Sequence, residues 1–230
     1  MKRMQRILLF TALLFSARTM QAQQLAQVSF NGGASLSYYS ILVDQSVLVR
    51  ISDEGKVLEW GIEVRADRGN YYAPKLQPYM GRVEFYGNDA DSASRGKVRS
   101  IGTCSFYYYP ASENSFKAGK VRSAGSLNFD YYTNYDNAAF RGKIKQLGTS
   151  ILTYYGSFDE ESLRGKLKSV GSTQLAYFSP FDDKQLRGLV KSIGMETFNW
   201  YTSLDLQGGR GILKNGEYRR TIGGVWYILR

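Results

Sequence analysis

Arg141-Gly142-Lys143-Ile144-Lys145-Gln146-Leu147-Gly148-Thr149-Ser150-Ile151-Leu152-Thr153-Tyr154-Tyr155 holds two short runs on either side of a glycine. Two runs of about six residues separated by Gly have the form of a β-hairpin, with each strand roughly 20 Å long. A loop follows, Phe158-Asp159 to Leu163, and the pattern restarts at Arg164-Gly165. Working outward, Gly96, Gly119, Gly142, Gly165, Gly188 and Gly211 stand 23 residues apart. Gly102, Gly125, Gly148, Gly171 and Gly194 follow the first five at a distance of six. The aromatic pairs Tyr108-Tyr109, Tyr131-Tyr132, Tyr154-Tyr155, Tyr177-Phe178 and Trp200-Tyr201 keep the same step. Three independent series with one period define a tandem repeat.

Side-chain parity bears on the turn. A two-residue Gly-Thr turn would put Lys143 and Lys145 on the face that carries Leu152 and Tyr154. A three-residue loop, Gln146-Leu147-Gly148 with Gly left-handed, avoids this. It groups Ile144, Leu152 and Tyr154 on a dry face, and Lys143, Lys145, Thr153 and Tyr155 on a wet one. Ile151 then falls on the wet face. The unit therefore predicts two cationic rows there, Lys97, Lys120, Lys143 and Lys166, and Arg99, Arg122, Lys145, Lys168 and Lys191. Tyr109, Tyr132, Tyr155, Phe178 and Tyr201 run beside them. Cations among aromatic faces suit a long anionic polymer or a glycan. The structural alternative is that Lys and Arg keep an exposed sheet soluble while aromatics cover their stems.

The expected fold is all-β: tandem 23-residue β-hairpins forming a twisted antiparallel meander of about 12–16 strands. A parallel β-solenoid is the alternative, and strand direction decides between them. Phe158, Leu163, Phe181 and Leu186 from the loops are expected to cover the dry face. Four loops repeat an Asp five residues before an Arg, Asp136 and Arg141, Asp159 and Arg164, Asp182 and Arg187, Asp205 and Arg210, while the first unit has Glu113 and Ala118 in those places. A turn cap or ion pair closing the loop accounts for this, since calcium needs a denser set of oxygen ligands. Residues 23–95 are degenerate repeats, 96–210 five regular units, and 211–230 a closing hairpin with Asn215-Gly216 at its turn.

The first 22 residues have the pattern of a signal peptide. A basic start, Met1 to Arg6, precedes the apolar run Ile7 to Phe15, and Ala22 is a small residue at the cleavage position. The run is too short to span a membrane, and no Cys near the site supports a lipid anchor. An uncleaved N-terminal anchor is the alternative. Losing Lys2, Arg3, Arg6 and Arg18, with no acid, takes the formal charge from +10 to +6. That charge and export point to an anionic polymer, a glycan or another envelope protein in the periplasm or outside the cell, not to nucleic acid.

The single cysteine, Cys104, cannot form an intramolecular disulfide. The absence of histidine removes Ser-His-Asp and Cys-His systems, His-ligated zinc and the commonest general base near neutral pH. No catalytic, cofactor or metal signature is present. Adjacent acids such as Asp89 and Asp91, or Glu160 and Glu161, have the form of solvated loop charge. An enzyme would place its site in the irregular region 23–95, around Arg65 to Gly81 with Trp60 and Tyr71-Tyr72. Strands near six residues are too short for a membrane-spanning barrel.

The stretch Phe158 to Val170 resembles the YD repeats of RHS-type and toxin-complex shell proteins. The 23-residue step with its Gly-Lys-Leu core is similar to MORN-type repeats, although their Y-x-G-x-W pattern is missing. More closely, the G-K-[VIL]-[KR]-S-[IV]-G units over 96–211 resemble uncharacterised exported β-repeat proteins of Gram-negative bacteria. That resemblance implies an envelope location and no activity. The expected function is a non-catalytic binding or structural module, with an enzyme or a soluble subunit of a secreted or surface assembly as alternatives.

Overall fold

A computed structural model describes residues 24–43, 46–64 and 75–230. The signal-like segment 1–22, with Gln23, and the Tyr71-Tyr72 pair lie outside the described residues. The chain is nearly all β. The first five strands are β1 (Gln24–Asn31), β2 (Ser35–Leu42), β3 (Val47–Ile51), β4 (Val57–Glu63) and β5 (Leu76–Gln77). Next come β6 (Val83–Phe85), β7 (Val98–Ile101), β8 (Cys104–Tyr108), β9 (Val121–Ala124), β10 (Leu127–Tyr131) and β11 (Ile144–Leu147). The repeat continues through β12 (Ser150–Tyr154), β13 (Leu167–Val170), β14 (Thr173–Tyr177), β15 (Val190–Ile193) and β16 (Glu196–Thr197). The chain closes with β17 (Arg219–Ile222) and β18 (Val225–Leu229).

Strands β6 to β16 form one 11-stranded antiparallel meander in chain order. Strand direction rules out the solenoid: β11 pairs antiparallel with β12, Leu147 opposite Ser150, and Ile144 pairs back with Tyr131. The turn differs from the expectation. Leu147 opposite Ser150 leaves only Gly148 and Thr149 as a two-residue turn, with Gly148 at φ +60° and no non-glycine residue at positive φ among those described. Glycine in the first central position is what this hairpin turn requires. The parity conflict is resolved elsewhere. Asp130 opposes Gln146 but Tyr131 opposes Ile144, so Lys145 is the extra residue of a β-bulge. The bulge lets Ile144 and Leu147, three apart, both face inward, at 0% and 1% exposure. Removing each such side chain from water is worth about 1.5–3 kcal/mol.

The other sheet has seven strands in the order β17-β18-β1-β2-β3-β4-β5, with β18 parallel to β1 and the other pairs antiparallel. Val28, Phe30, Tyr39, Ile41, Val49 and Ile51 join the core shared with the long sheet. Its opposite face buries polar groups instead. Glu63 accepts two bonds of 3.1 Å from Arg219 and one of 3.0 Å from Gln27, Gln27 accepts from Ser40, and Arg50 pairs with Glu59. Since β4 and β17 stand five places apart in the strand order, the Arg219–Glu63 pair shows that the sheet curls strongly, without closing into a barrel.

Two turns of the short sheet dock on the long one. The Gly33 carbonyl accepts from the Val190 N–H at 2.8 Å, and the Asp53 carbonyl from the Ile144 N–H at 2.7 Å. Gly55 O accepts from Val121 N–H at 3.3 Å. Glycine is needed at Gly33, where a Cβ would lie 2.2 Å from the Trp200 ring.

Candidate binding face of the long sheet

The two cationic rows have different places. Lys97, Lys120, Lys143 and Lys166 are half-buried rather than on the wet face. Each amine donates to the carbonyl of the glycine 22 residues ahead: Gly119, Gly142, Gly165 (2.8 Å) and Gly188 (2.7 Å). Each also sits 4.9–5.2 Å from the ring centre of Tyr108, Tyr131, Tyr154 or Tyr177. Lys143 pairs with Asp53 at 2.9 Å, and Lys166 reaches Ala34 O at 2.9 Å. Burial holds the amines of Lys97, Lys120 and Lys166 below the usual lysine range. This row is an internal ladder that ties successive units together. In the fifth unit its place is taken by Leu189, fully buried.

The second row is on the outside. Arg99, Arg122, Lys145, Lys168 and Lys191 are all exposed. Each is the residue skipped in the pairing of its strand, so every one of them sits on a bulge. A bulged residue is released from the ladder and re-aimed, which turns these side chains outward at every second strand, roughly 10 Å apart. Arg122, Lys145, Lys168 and Lys191 lie 5.1–5.9 Å over the rings of Tyr109, Tyr132, Tyr155 and Phe178. None of the five forms an ion pair with a described residue.

The aromatics are held rigidly, and Tyr132, expected on the wet face, is buried instead, with the Phe140 ring centre 4.5 Å from its own. Hydroxyls of Tyr109, Tyr132 and Tyr155 each donate to a backbone carbonyl 20 residues on, at 2.9 Å. Their rings meet Tyr131, Tyr154 and Tyr177 edge-to-face at about 6 Å. Tyr201 is half-buried, with Lys214 5.7 Å over its ring. Two members of these series were missed. Phe85-Tyr86 precedes Tyr108-Tyr109 by one step, and Tyr86 donates to Phe106 O at 2.8 Å. Lys214 follows Lys191 by one step. Extending the period one step beyond each end of the glycine series would have found both.

The loops behave as capped turns. The carboxylates of Asp136, Asp159, Asp182 and Asp205 accept from the N–H three residues back, at 2.6–2.7 Å. Arg141, Arg164 and Arg187 bond the backbone carbonyl of their Asp, not its carboxylate. Arg210 instead donates to Arg187 O. The Lys214 amine and the Thr202 N–H hold the Asp205 carboxyl at about 2. Leu163 and Leu186 pack on the core as expected, but Phe158 and Phe181 do not cover it. They are fully exposed and, with Tyr135 and Leu204, form an apolar row along the loop edge. From these loops it is Leu163 and Leu186 that cover the dry face.

The region 23–95 contributes to a cleft lined by Lys56, Trp60, Phe85, Lys97 and Tyr108, with no carboxylate among its described lining residues. Asp91 caps the N–H groups of Ala93 and Ala111. Among the described residues no group of His, Cys, Asp and Glu is arranged for a metal ion, and no helix is long and apolar enough to cross a membrane. Comparison with family models, curated proteins and solved structures finds no match.

Proposed function

We propose that the protein is a non-catalytic, exported binding module that takes an anionic polymer or an acidic glycan along the outer face of its long sheet. The observation that carries this reading is the bulge row. Five cations are repeatedly placed on bulges, turned to solvent and without a salt bridge among the described residues, and four of them lie over fixed aromatic rings. Their separation of roughly 10 Å is close to one Debye length, so they repel one another weakly while a polyanion meets all of them together. The half-buried rings of Tyr109, Tyr155 and Phe178 offer apolar surface against which sugar rings pack, without competing for the charge. Lys97, Lys120, Lys143 and Lys166 hold the scaffold in this reading and do not contact the ligand. The apolar row Tyr135, Phe158, Phe181 and Leu204 favours a second reading, a subunit of a surface assembly that docks by its loop edge.

Arg122→Glu, Lys145→Glu and Lys168→Glu together test the first reading. Retention on immobilised heparin or polygalacturonate should move to much lower salt, with the melting temperature little changed. Retention at the original salt would remove the bulge row from the binding surface.

A further inference from the structure

Where β4 passes over β6 and β7, the sandwich holds a cleft of about 390 Å³, a volume within the usual range for small-molecule sites. Trp60, Phe85 and Tyr108 form its apolar walls, the first two with ring centres 6.3 Å apart. Lys56, Lys97 and Val98 complete the part that matters here.

The molecule carries its own precedent for what fills such a place. In the third unit, Asp53 puts its carboxylate 2.9 Å from the Lys143 amine, and its carbonyl accepts from the Ile144 N–H at 2.7 Å. In the second, Gly55 O accepts from Val121 N–H, and Asp53 and Glu54 lie close enough to favour the charge on Lys120. In the fifth, Gly33 O accepts from Val190 N–H. The first unit has the same parts, Lys97 and Val98, but not the counterpart. Among the described residues no carbonyl of the short sheet reaches Val98 and no carboxylate pairs with Lys97. The charge that acts on Lys97 is another cation, Lys56, whose own amine lies 3.4 Å from the Glu54 carboxylate.

We propose that this cleft binds a small apolar carboxylate, an aliphatic or aromatic acid whose body lies against Trp60, Phe85 and Tyr108 and whose carboxylate takes beside Lys97 and Lys56 the place that Asp53 takes beside Lys143. The apolar walls drive burial of the body. The Lys97 amine, drawn partly out of water, gains a charge-assisted partner that is stronger than a neutral one, and the exposed Lys56 adds a weaker, screened attraction. An alcohol of the same shape keeps the apolar contacts and loses that gain. The site is separate from the bulge row and does not depend on it.

The test titrates the full chain with hydrocinnamate and decanoate, and with hydrocinnamyl alcohol and decanol, followed by tryptophan fluorescence and calorimetry. Saturable binding of an acid is expected, with its matched alcohol about ten-fold weaker or more. Lys97→Met should weaken the acid by about ten-fold and Lys56→Met by about two- to three-fold, and both should leave the alcohol unchanged. Lys168→Met, on the outer face, should leave both unchanged. Lys56 is largely exposed, so its replacement does not threaten the fold and decides the matter if Lys97→Met unfolds. Equal binding of acid and alcohol, wild-type affinity in the lysine variants, or no saturation by either acid would overturn the proposal.

Discussion

Lys143 and Lys145 stand two positions apart, one just before β11 and one within it, and have opposite fates. The first spans to Gly165 O and to Asp53, while the second stands in water over Tyr132. Removing each charge while keeping the stem separates the roles. Lys143→Met leaves a part-buried carboxylate and a carbonyl without their donor and should cost about 1–3 kcal/mol. Lys145→Met should stay within about 0.5 kcal/mol. Urea unfolding of the two variants, with unchanged dependence on denaturant, checks the difference. At this scale the sequence was half legible. The composition of both rows and their period could be counted, but a lysine bonded to a carbonyl one unit away and a lysine in solvent have the same side chain. The distinction arises only from the bulge, which turns one residue outward and frees the other to lean along the sheet. The outward row could be located by period, and its bulges could not.

At the scale of the hairpin, the faces were read correctly for Ile144, Leu152 and Tyr154 but through the wrong turn. A three-residue loop, and a two-residue turn combined with a bulge, give the same alternation of buried and exposed side chains. The hydrophobic pattern therefore cannot choose between them. Gly148 and Gly171 occupy the same turn position, with φ +60° and +55°. Alanine at either pays roughly 1–2 kcal/mol for left-handed backbone. At Gly148 the new Cβ would also lie 2.7 Å from Leu127 Cδ1, whereas at Gly171 nothing stands within 4 Å. Gly148→Ala should thus lose more stability than Gly171→Ala, by about 1 kcal/mol, in chemical denaturation. Equal losses would show that Leu127 swings aside without cost. The exposed Phe158 and Phe181 were misplaced for a comparable reason, since a large apolar side chain in a loop has no period that tells inward from outward.

At the scale of the whole molecule, the shared core is unusually phenolic. Burial raises the hydroxyls of Tyr39, Tyr108, Tyr131, Tyr154 and Tyr177, and pushes Tyr227 up to about 12. Unfolded tyrosine releases its proton at about pH 10. The folded chain then holds protons that the unfolded chain has lost, so this contribution is complete below pH 10 and declines as pH rises through the raised values. Lys97, Lys120 and Lys166, shifted down, act in the opposite sense but are fewer. Stability should fall by about 1.4 kcal/mol per pH unit for each net proton, giving cooperative alkaline unfolding above pH 10. Tyrosinate absorbance should rise together with loss of circular dichroism, and ionisation without unfolding would contradict the prediction. The meander was legible at this scale because its contacts are local and repeated. The short sheet was not, because β1 meets β18 across almost the whole chain, and no local pattern announces a partner that distant. That pairing also bears on descent. An ordinary repeat array gains or loses copies by duplication, each new copy simply lengthening the stack. Here one extra copy would carry β17 and β18 roughly 10 Å, two strand spacings, away from β1. Copy number is thereby removed from the changes open to this lineage, leaving the residues within each copy as the ground on which it can vary.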